Sequence, residues 1–256
     1  MQYDARVLTL IERPTDIIFG RTSDRMKFTV EGADHELPRA LEAEYGDAFK
    51  AACEAMRKAL EIFRSPGYDE RDGWKVDCSN EYITVYYKDI DGLRYYAAKA
   101  IISLPASKLI DMHWNELGDL QNYNDNMKYG KTIRKLADDV DIAQYASNDK
   151  LMVKSREFLV GRMRKNVGTA SVLACRSCNI DAIPPSKESV RAFLHVGSAS
   201  YSPCPEDPDN SCVYDYLFSV DLKGMLLKTV ANQALGKLVL SDVENNRVHA
   251  IKISPR

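Results

Sequence analysis

The spacing of apolar residues changes period twice along this chain, and those two changes restrict its fold more than any other feature of the sequence. Leu41, Tyr45, Phe49, Cys53, Met56, Leu60 and Phe63 recur every three or four positions, the stripe of an amphipathic helix over about 37–63. Ser65-Pro66-Gly67 ends it. The period then drops to that of strands. Residues 74–78, 82–87 and 95–102 are β-branched and aromatic runs, separated by Ser79-Asn80-Glu81 and by Asp89-Ile90-Asp91-Gly92, which predicts a three-stranded antiparallel meander. A second helical region starts at Leu104-Pro105 and runs through Trp114 and Leu117, with Pro105 at a tolerated first-turn position. Strand-like segments follow at 131–136, 141–145, 157–164, 170–178, 190–198 and 213–220. After Asp221-Leu222-Lys223-Gly224 the helical period returns, with Leu227, Val230, Ala231, Ala234, Leu235 and Leu238 on one predicted face.

This order predicts an α+β protein in which one antiparallel sheet of about nine strands curls around a long C-terminal helix. The length of 256 residues suits one large domain, drawn here as 41–256. Residues 1–40 show no sustained period, although 27–31 alternate like a short strand, and they are set apart as an extension of unassigned role. Thirty-five Lys and Arg against 37 Asp and Glu give no electrostatic footprint for nucleic acid. No apolar run approaches the roughly 18 residues of a membrane span, and the first residues lack the order of a secretory signal. A cytoplasmic protein, peripheral and transient at membranes, is expected. The six cysteines, Cys53, Cys78, Cys175, Cys178, Cys204 and Cys212, are then expected as free thiols. Cys175 and Cys178 have zinc-ligand spacing, but Cys204 and Cys212 are too far apart to complete a knuckle. No metal and no cofactor are expected.

Four motifs fall on the predicted elements in order. Tyr123-Asn124 follows the second helix; Ser155-Arg156-Glu157-Phe158 with Arg162 lies on a strand; Pro184-Pro185 then Val190-Arg191 leave a loop; Asp221-Leu222-Lys223-Gly224 launches the last helix. From about 41 to 252 the chain thereby resembles the START (StAR-related lipid-transfer) family. The resemblance implies a helix-grip fold enclosing an apolar tunnel for a single lipid, which is a phospholipid, fatty acid, sterol or ceramide. It implies that the chain binds and transfers that lipid, touches membranes transiently and is not an enzyme. A lipid-sensing module, or a hydrolase or cyclase on the same scaffold, stands as the alternative. It also implies a gate made of the loop 179–188, with Ile180, Ile183, Pro184 and Pro185, and of the helix after Gly224. Burial is enough to hold such a ligand, since each CH₂ contributes roughly 0.8 kcal/mol.

Three positions depart from the family pattern. Tyr123 stands where the family usually has Trp, Leu227 where it often has Pro, and the acid that pairs with the buried arginine aligns near Tyr145 or Ala146. The usual ion pair is therefore expected to be absent. Strand alternation puts Phe158, Val160 and Arg162 on one face, so Arg162 is expected inside the tunnel, meeting either an anionic lipid head or Asp141 or Asp149. The first alternative favours a phospholipid or fatty acid over a sterol. Leu120, Tyr123, Asn124, Tyr145, Tyr214 and Tyr216 are expected on the tunnel wall as head-group contacts or as core, with Leu227, Val230, Ala231 and Ala234 across from them. His35, His113, His195 and His249 are scattered without a nucleophile motif, and neither a Gly-x-Gly-x-x-Gly sequence nor a P-loop occurs. Lys150, Lys154, Arg156, Lys187 and Lys223 lie around the predicted strand ends and loops, expected either as solvated surface or as contacts to anionic membrane at the gate.

Overall fold

The computed structural model describes residues 25–149, 154–224 and 228–254. Two strands, β1 (Arg25–Val30) and β2 (Ala33–Pro38), form a hairpin ahead of helix α1 (Arg39–Phe63). The hairpin turn Glu31-Gly32 has φ of 54° and 70°, a two-residue reversal that glycine permits at low cost. The predicted meander follows as β3 (Lys75–Ser79), β4 (Thr84–Ile90) and β5 (Leu93–Ile102), then helix α2 (Ala106–Asn115) and a 3-10 turn, Leu117–Asn122. Four antiparallel neighbours come next: β6 (Met127–Lys135), β7 (Val140–Ser147), β8 (Arg156–Val167) and β9 (Ala170–Ser177). The two-residue β10 (Val190–Arg191), β11 (Phe193–Pro203), β12 (Cys212–Asp221) and helix α3 (Lys228–Ile253) complete the chain.

Nine strands lie in the order β3-β4-β5-β12-β11-β9-β8-β7-β6, all antiparallel, and β10 adds a short parallel pairing to β8. Register shifts at Val76/Cys78, Met127/Tyr129, Thr132/Arg134 and Leu194/Val196 bend the strands. Alternation divides the buried side chains between two layers. On β8, Leu159 and Met163 join the cluster under α1, while Phe158 and Val160 join the inner cluster with α2 and α3. Helix α1 buries a row of small residues, among them Ala48, Ala52, Ala55 and Ala59. Gly161 of β8 has no side chain because a Cβ there would collide with the Ala48 carbonyl.

Residues 25–38, part of the expected extension, pack on α1. Val30 and Leu37 are buried, Phe28 meets Phe49 edge-on with centroids 6.0 Å apart, and the Arg57 guanidinium donates to Thr29 O. Helix α3 runs some four turns beyond its predicted extent, because its second half mixes Asp242, Glu244, Asn245 and Asn246 with apolar residues. Its buried face is Leu235, Val239, Val243, Asn246 and Ala250. This corrects the expected inner face. Val230 and Ala234 are exposed and Ala231 is half-buried, because apolar residues are spread around most of the helix and the contacts it makes select which of them turn inward. Leu227 lies outside the described residues.

Candidate functional site

The inner cluster lies between the concave face of the sheet and helices α2 and α3, and Arg162 stands within it. In the β7–β8 ladder Arg162 is directly opposite Asp141. Arg162 Nε donates to Asp141 Oδ1 at 2.8 Å and Nη2 to Oδ2 at 2.6 Å, a two-pronged pairing of guanidinium and carboxylate. The remaining donors reach His113 O and Trp114 O at 3.0 Å each. Those carbonyls end helix α2, so the cation also caps the negative end of that helix, and it lies 4.7 Å from the Trp114 ring centroid. The expected absence of an acidic partner is thus corrected: Asp141 fills that role. Asp149 instead accepts from Ser155 N at 2.6 Å. The guanidinium fork is occupied, and the inference from Arg162 to an anionic lipid head falls with it.

His113, on the inner side of α2, joins three elements. Asn246 Nδ2 donates to Asp242 O at 3.0 Å, which turns its Oδ1 toward His113 Nε2 at 2.9 Å. Nε2 therefore carries the proton, and the Tyr201 hydroxyl, 2.7 Å from Nδ1, donates to the bare nitrogen. Burial, reinforced by the nearby Arg162 charge, pushes the His113 pKa down to about 4, so the ring is neutral at physiological pH.

Tyr145 on β7, Cys175 on β9 and Tyr216 on β12 pack against this layer. Burial pushes all three groups up, the two phenols well above their ordinary range and the thiol to about 11. Yet each keeps accessible surface and is only half-buried. Leu173, Leu222, Leu238 and Leu120 are half-buried on the same cluster. Tyr214, Tyr216 and Phe218 stack along β12 at 6.0 Å intervals, and Tyr145 stacks on Phe158 at 5.2 Å. Strand alternation puts Phe158 and Val160 on the inner layer, where they lie, and Asp141 is one of the partners expected for Arg162. Cys175, His113 and Tyr201 are not assigned to this layer by the sequence; the polar residues Asp242, Asn245 and Asn246, spaced three and four apart on a helix, are an available signal for the clasp described next.

Asn124 acts in that clasp. Its Nδ2 and that of Asn126 donate to Asp242 Oδ1 at 3.0 and 2.7 Å, and Asn245 Nδ2 donates to Asn124 Oδ1 at 3.0 Å. Tyr123 stacks on His249, with centroids 3.8 Å apart and rings 4° from parallel. The second half of α3 is thereby fastened to the segment after the 3-10 turn. Among the described residues of its first turns, Tyr96 donates to Asn232 O at 3.0 Å, and Gly236 lies so close to Asp77 that a Cβ would collide with the carboxylate.

The loop 179–188 is anchored from the other layer. Ile180 is buried and Ile183 half-buried against the α1 cluster, and Asn179 N donates to Asp47 Oδ2 at 2.7 Å. Glu157 accepts from Ser186 N at 3.1 Å and from Arg191 Nε at 3.0 Å, and also from Tyr129 and Gln144. Burial opposes ionisation of Glu157, but these donors hold its pKa below the usual carboxylate value. Pro184 and Pro185 are exposed. Arg156 was expected at the surface; it is instead buried, donating to Leu222 O, Lys154 O and Lys223 O at 3.0, 2.7 and 3.2 Å. Lys154, Lys187 and Lys223 are exposed, and Lys150 lies outside the described residues. Cys175 and Cys178 belong to opposite layers, and among the described residues no three His, Cys, Asp or Glu side chains are placed to hold a metal. No helix among the described residues is long and apolar enough to cross a membrane.

Residues 54–251 match the START domain family. The chain is 31% identical over 220 residues to the Caenorhabditis elegans steroidogenic acute regulatory-like protein 1, a match covering 84% of this chain and 85% of that one. It is 26% identical over 193 residues to the mitochondrial steroidogenic acute regulatory protein of Bos taurus, covering 72% of this chain and 64% of the relative. Among solved structures, human StAR-related lipid transfer protein 5 superposes with a TM-score of 0.69 at 16% identity, over 81% of this chain and 98% of that one. Human STARD10 gives 0.66 at 21% identity, over 77% and 78%. At these identities the two structures speak to the fold, which is the helix grip.

Proposed function

The chain belongs to the START domain family, and on that premise we propose that it carries one lipid molecule in a cavity between the sheet and α3, taking it up and releasing it at a membrane surface. The observation that carries this reading is the set of deep yet half-open side chains, Tyr145, Cys175 and Tyr216, inside an otherwise apolar layer. A lipid tail there exchanges water for aliphatic and aromatic contacts, at roughly 0.8 kcal/mol per CH₂. Carriage rather than catalysis is favoured by His113, whose two ring nitrogens are both engaged by Tyr201 and Asn246. Uptake is assigned to the first two turns of α3. Among the described residues they are held by fewer side-chain hydrogen bonds than the clasped second half, and the loop 179–188 serves as a frame, tied down by Asp47 and Glu157.

Native mass spectrometry of the purified chain, with extraction of the bound molecule, tests the carriage reading directly. One lipid per chain is expected, together with movement of that lipid between donor and acceptor vesicles. A protein that never acquires a lipid sinks the proposal, and uptake without movement between vesicles turns it toward sensing. Hydrogen exchange tests the gate. Loading with lipid should slow exchange in 228–236 and leave 239–253 unaltered; uniform slowing along the helix would place the opening elsewhere.

A further inference from the structure

The sheet ends on two strands, β3 and β6. At β3 the end is met by α3, where Gly236 lies against Asp77. At β6 the 3-10 turn covers Gly130, where a Cβ would strike the Leu117 carbonyl. Past that point Lys131, Thr132, Arg134 and Lys135 are exposed. Among the described residues β7 is the one ladder partner of β6, and no backbone hydrogen bond joins 131–135 to anything outside that ladder. The outward N–H and C=O groups of this stretch therefore form an open sheet edge.

The same strand carries Lys128, Lys131, Arg134 and Lys135 and no acid. Lys128 pairs with Glu188 at 3.4 Å and Lys135 with Asp138 at 2.8 Å. Lys131 and Arg134 have no carboxylate partner among the described residues. Lys131 Nζ lies 6.0 Å from the Tyr129 ring centroid, and Arg134 donates to the Tyr45 hydroxyl at 3.3 Å with its guanidinium 4.8 Å from that ring. The register shift at Thr132/Arg134 sets Lys131 opposite Gln144 and Arg134 opposite Ile142, two positions apart on β7. That one extra residue puts both unpaired cations on the same face of the edge.

We propose that the β6 edge over 131–135 docks an extended acidic segment of a partner protein, which adds to the sheet as a further strand and sets carboxylates at alternate positions against Lys131 and Arg134. Backbone pairing holds such a strand, and the two cations fix its register and its charge. A second copy of this chain fits poorly, because β6 against β6 would bring cation to cation. A bilayer surface would meet the charges but not the backbone groups. The large apolar side chains most exposed among the described residues, Val76, Tyr82, Ile101, Val230, Ile251 and Ile253, all lie off β6. With Arg134 reaching Tyr45 of α1, the site belongs to the α1 side of the sheet and is independent of the carriage reading.

The test uses the full chain and three fluorescent decapeptides: alternating Glu-Thr, alternating Lys-Thr, and alternating Glu-Pro, which keeps the charge of the first but cannot enter a ladder. The Glu-Thr peptide should bind about tenfold tighter than either of the others and should slow amide exchange in 131–135. Lys131→Glu, at an exposed residue without an ion-pair partner, should weaken it about fivefold and Arg134→Gln about threefold, with the melting temperature of Lys131→Glu unchanged. Phosphatidylserine vesicles should bind wild type and Lys131→Glu alike. Equal binding of the Glu-Pro peptide, unaltered exchange in 131–135, or unaltered Glu-Thr affinity in a folded Lys131→Glu variant would each overturn the proposal. So would a wild type that binds none of the peptides, and a loss in Lys131→Glu confined to vesicles would assign the edge to a membrane instead.

Discussion

Replacing Asp141 by Leu gives the sharpest test of how the inner layer is held. Arg162 and Asp141 have side chains 3% and 5% exposed, and their two contacts of 2.8 and 2.6 Å are charge-assisted. Removing one partner of a buried pair leaves an uncompensated charge, at a cost of about 3–5 kcal/mol. Arg162 keeps its bonds to His113 O and Trp114 O, which argues for the lower end, about 3 kcal/mol. In a chain of this size each kcal/mol moves the melting temperature by about 2–4 °C, so Asp141→Leu should melt roughly 6–12 °C below wild type, with a matching shift in urea unfolding. The double variant Asp141→Leu/Arg162→Met removes both charges and should regain part of that loss, since an apolar pair avoids the desolvation of two ions. Arg162→Met alone should lower stability and leave the preference between oleate and oleyl alcohol as it was. The reasoning is refuted if Asp141→Leu costs less than 1 kcal/mol, or if Arg162→Met selectively weakens oleate in a protein of normal stability.

Three further outcomes follow from the packing. Because burial depresses the His113 pKa from 6.5 to about 4, the unfolded chain binds the proton more readily. Stability present above pH 6.5 should therefore fall as pH drops toward 4, by about 3 kcal/mol from this residue; His113→Gln should flatten the profile by that amount, and superimposable profiles would count against it. A chain beginning at Arg39 loses the buried Val30 and Leu37, at about 1.5–3 kcal/mol each. It should be less stable in urea yet bind lipid normally, since the hairpin packs on α1; unchanged stability, or lost binding in a folded truncation, would show the hairpin's role to be different. Gly161→Ala drives a Cβ into the Ala48 carbonyl, so about 3 kcal/mol or more should be lost on chemical unfolding as α1 is pushed off the sheet, and wild-type stability would contradict that contact.

The element order was legible because it is written in local periods. The β-branched and aromatic run of 95–102 and the three-to-four spacing of 41–63 are local signals, set by strand propensity and by how a helix projects its side chains. Asp91-Gly92, with φ of 52° and 78°, announces its hairpin through the conformations those residue types tolerate. The motifs carried the family resemblance for the same reason, being short, contiguous and placed on predicted elements. Phe158 and Val160 were placed because strand alternation sends them to the same side of β8 as Arg162.

What faces Arg162 is a different kind of fact. Asp141 stands opposite it because of the β7–β8 register, and a shift of one residue would turn the whole strand face outward. That register depends on the connecting loop and on burial across the sheet, which the composition of neither strand contains. The inner face of α3 was likewise open, because its apolar residues do not form a single stripe. Asn124, Asn126 and His113, from distant parts of the chain, fix its rotation by bonding Asp242 and Asn246. The sequence by itself determined which segments are helix, strand and turn, since those are properties of nearby residues. Only the tertiary structure decided which charge is neutralised and which polar groups pair across the sheet, since a polar group's partners are all those that folding brings within about 3 Å of it.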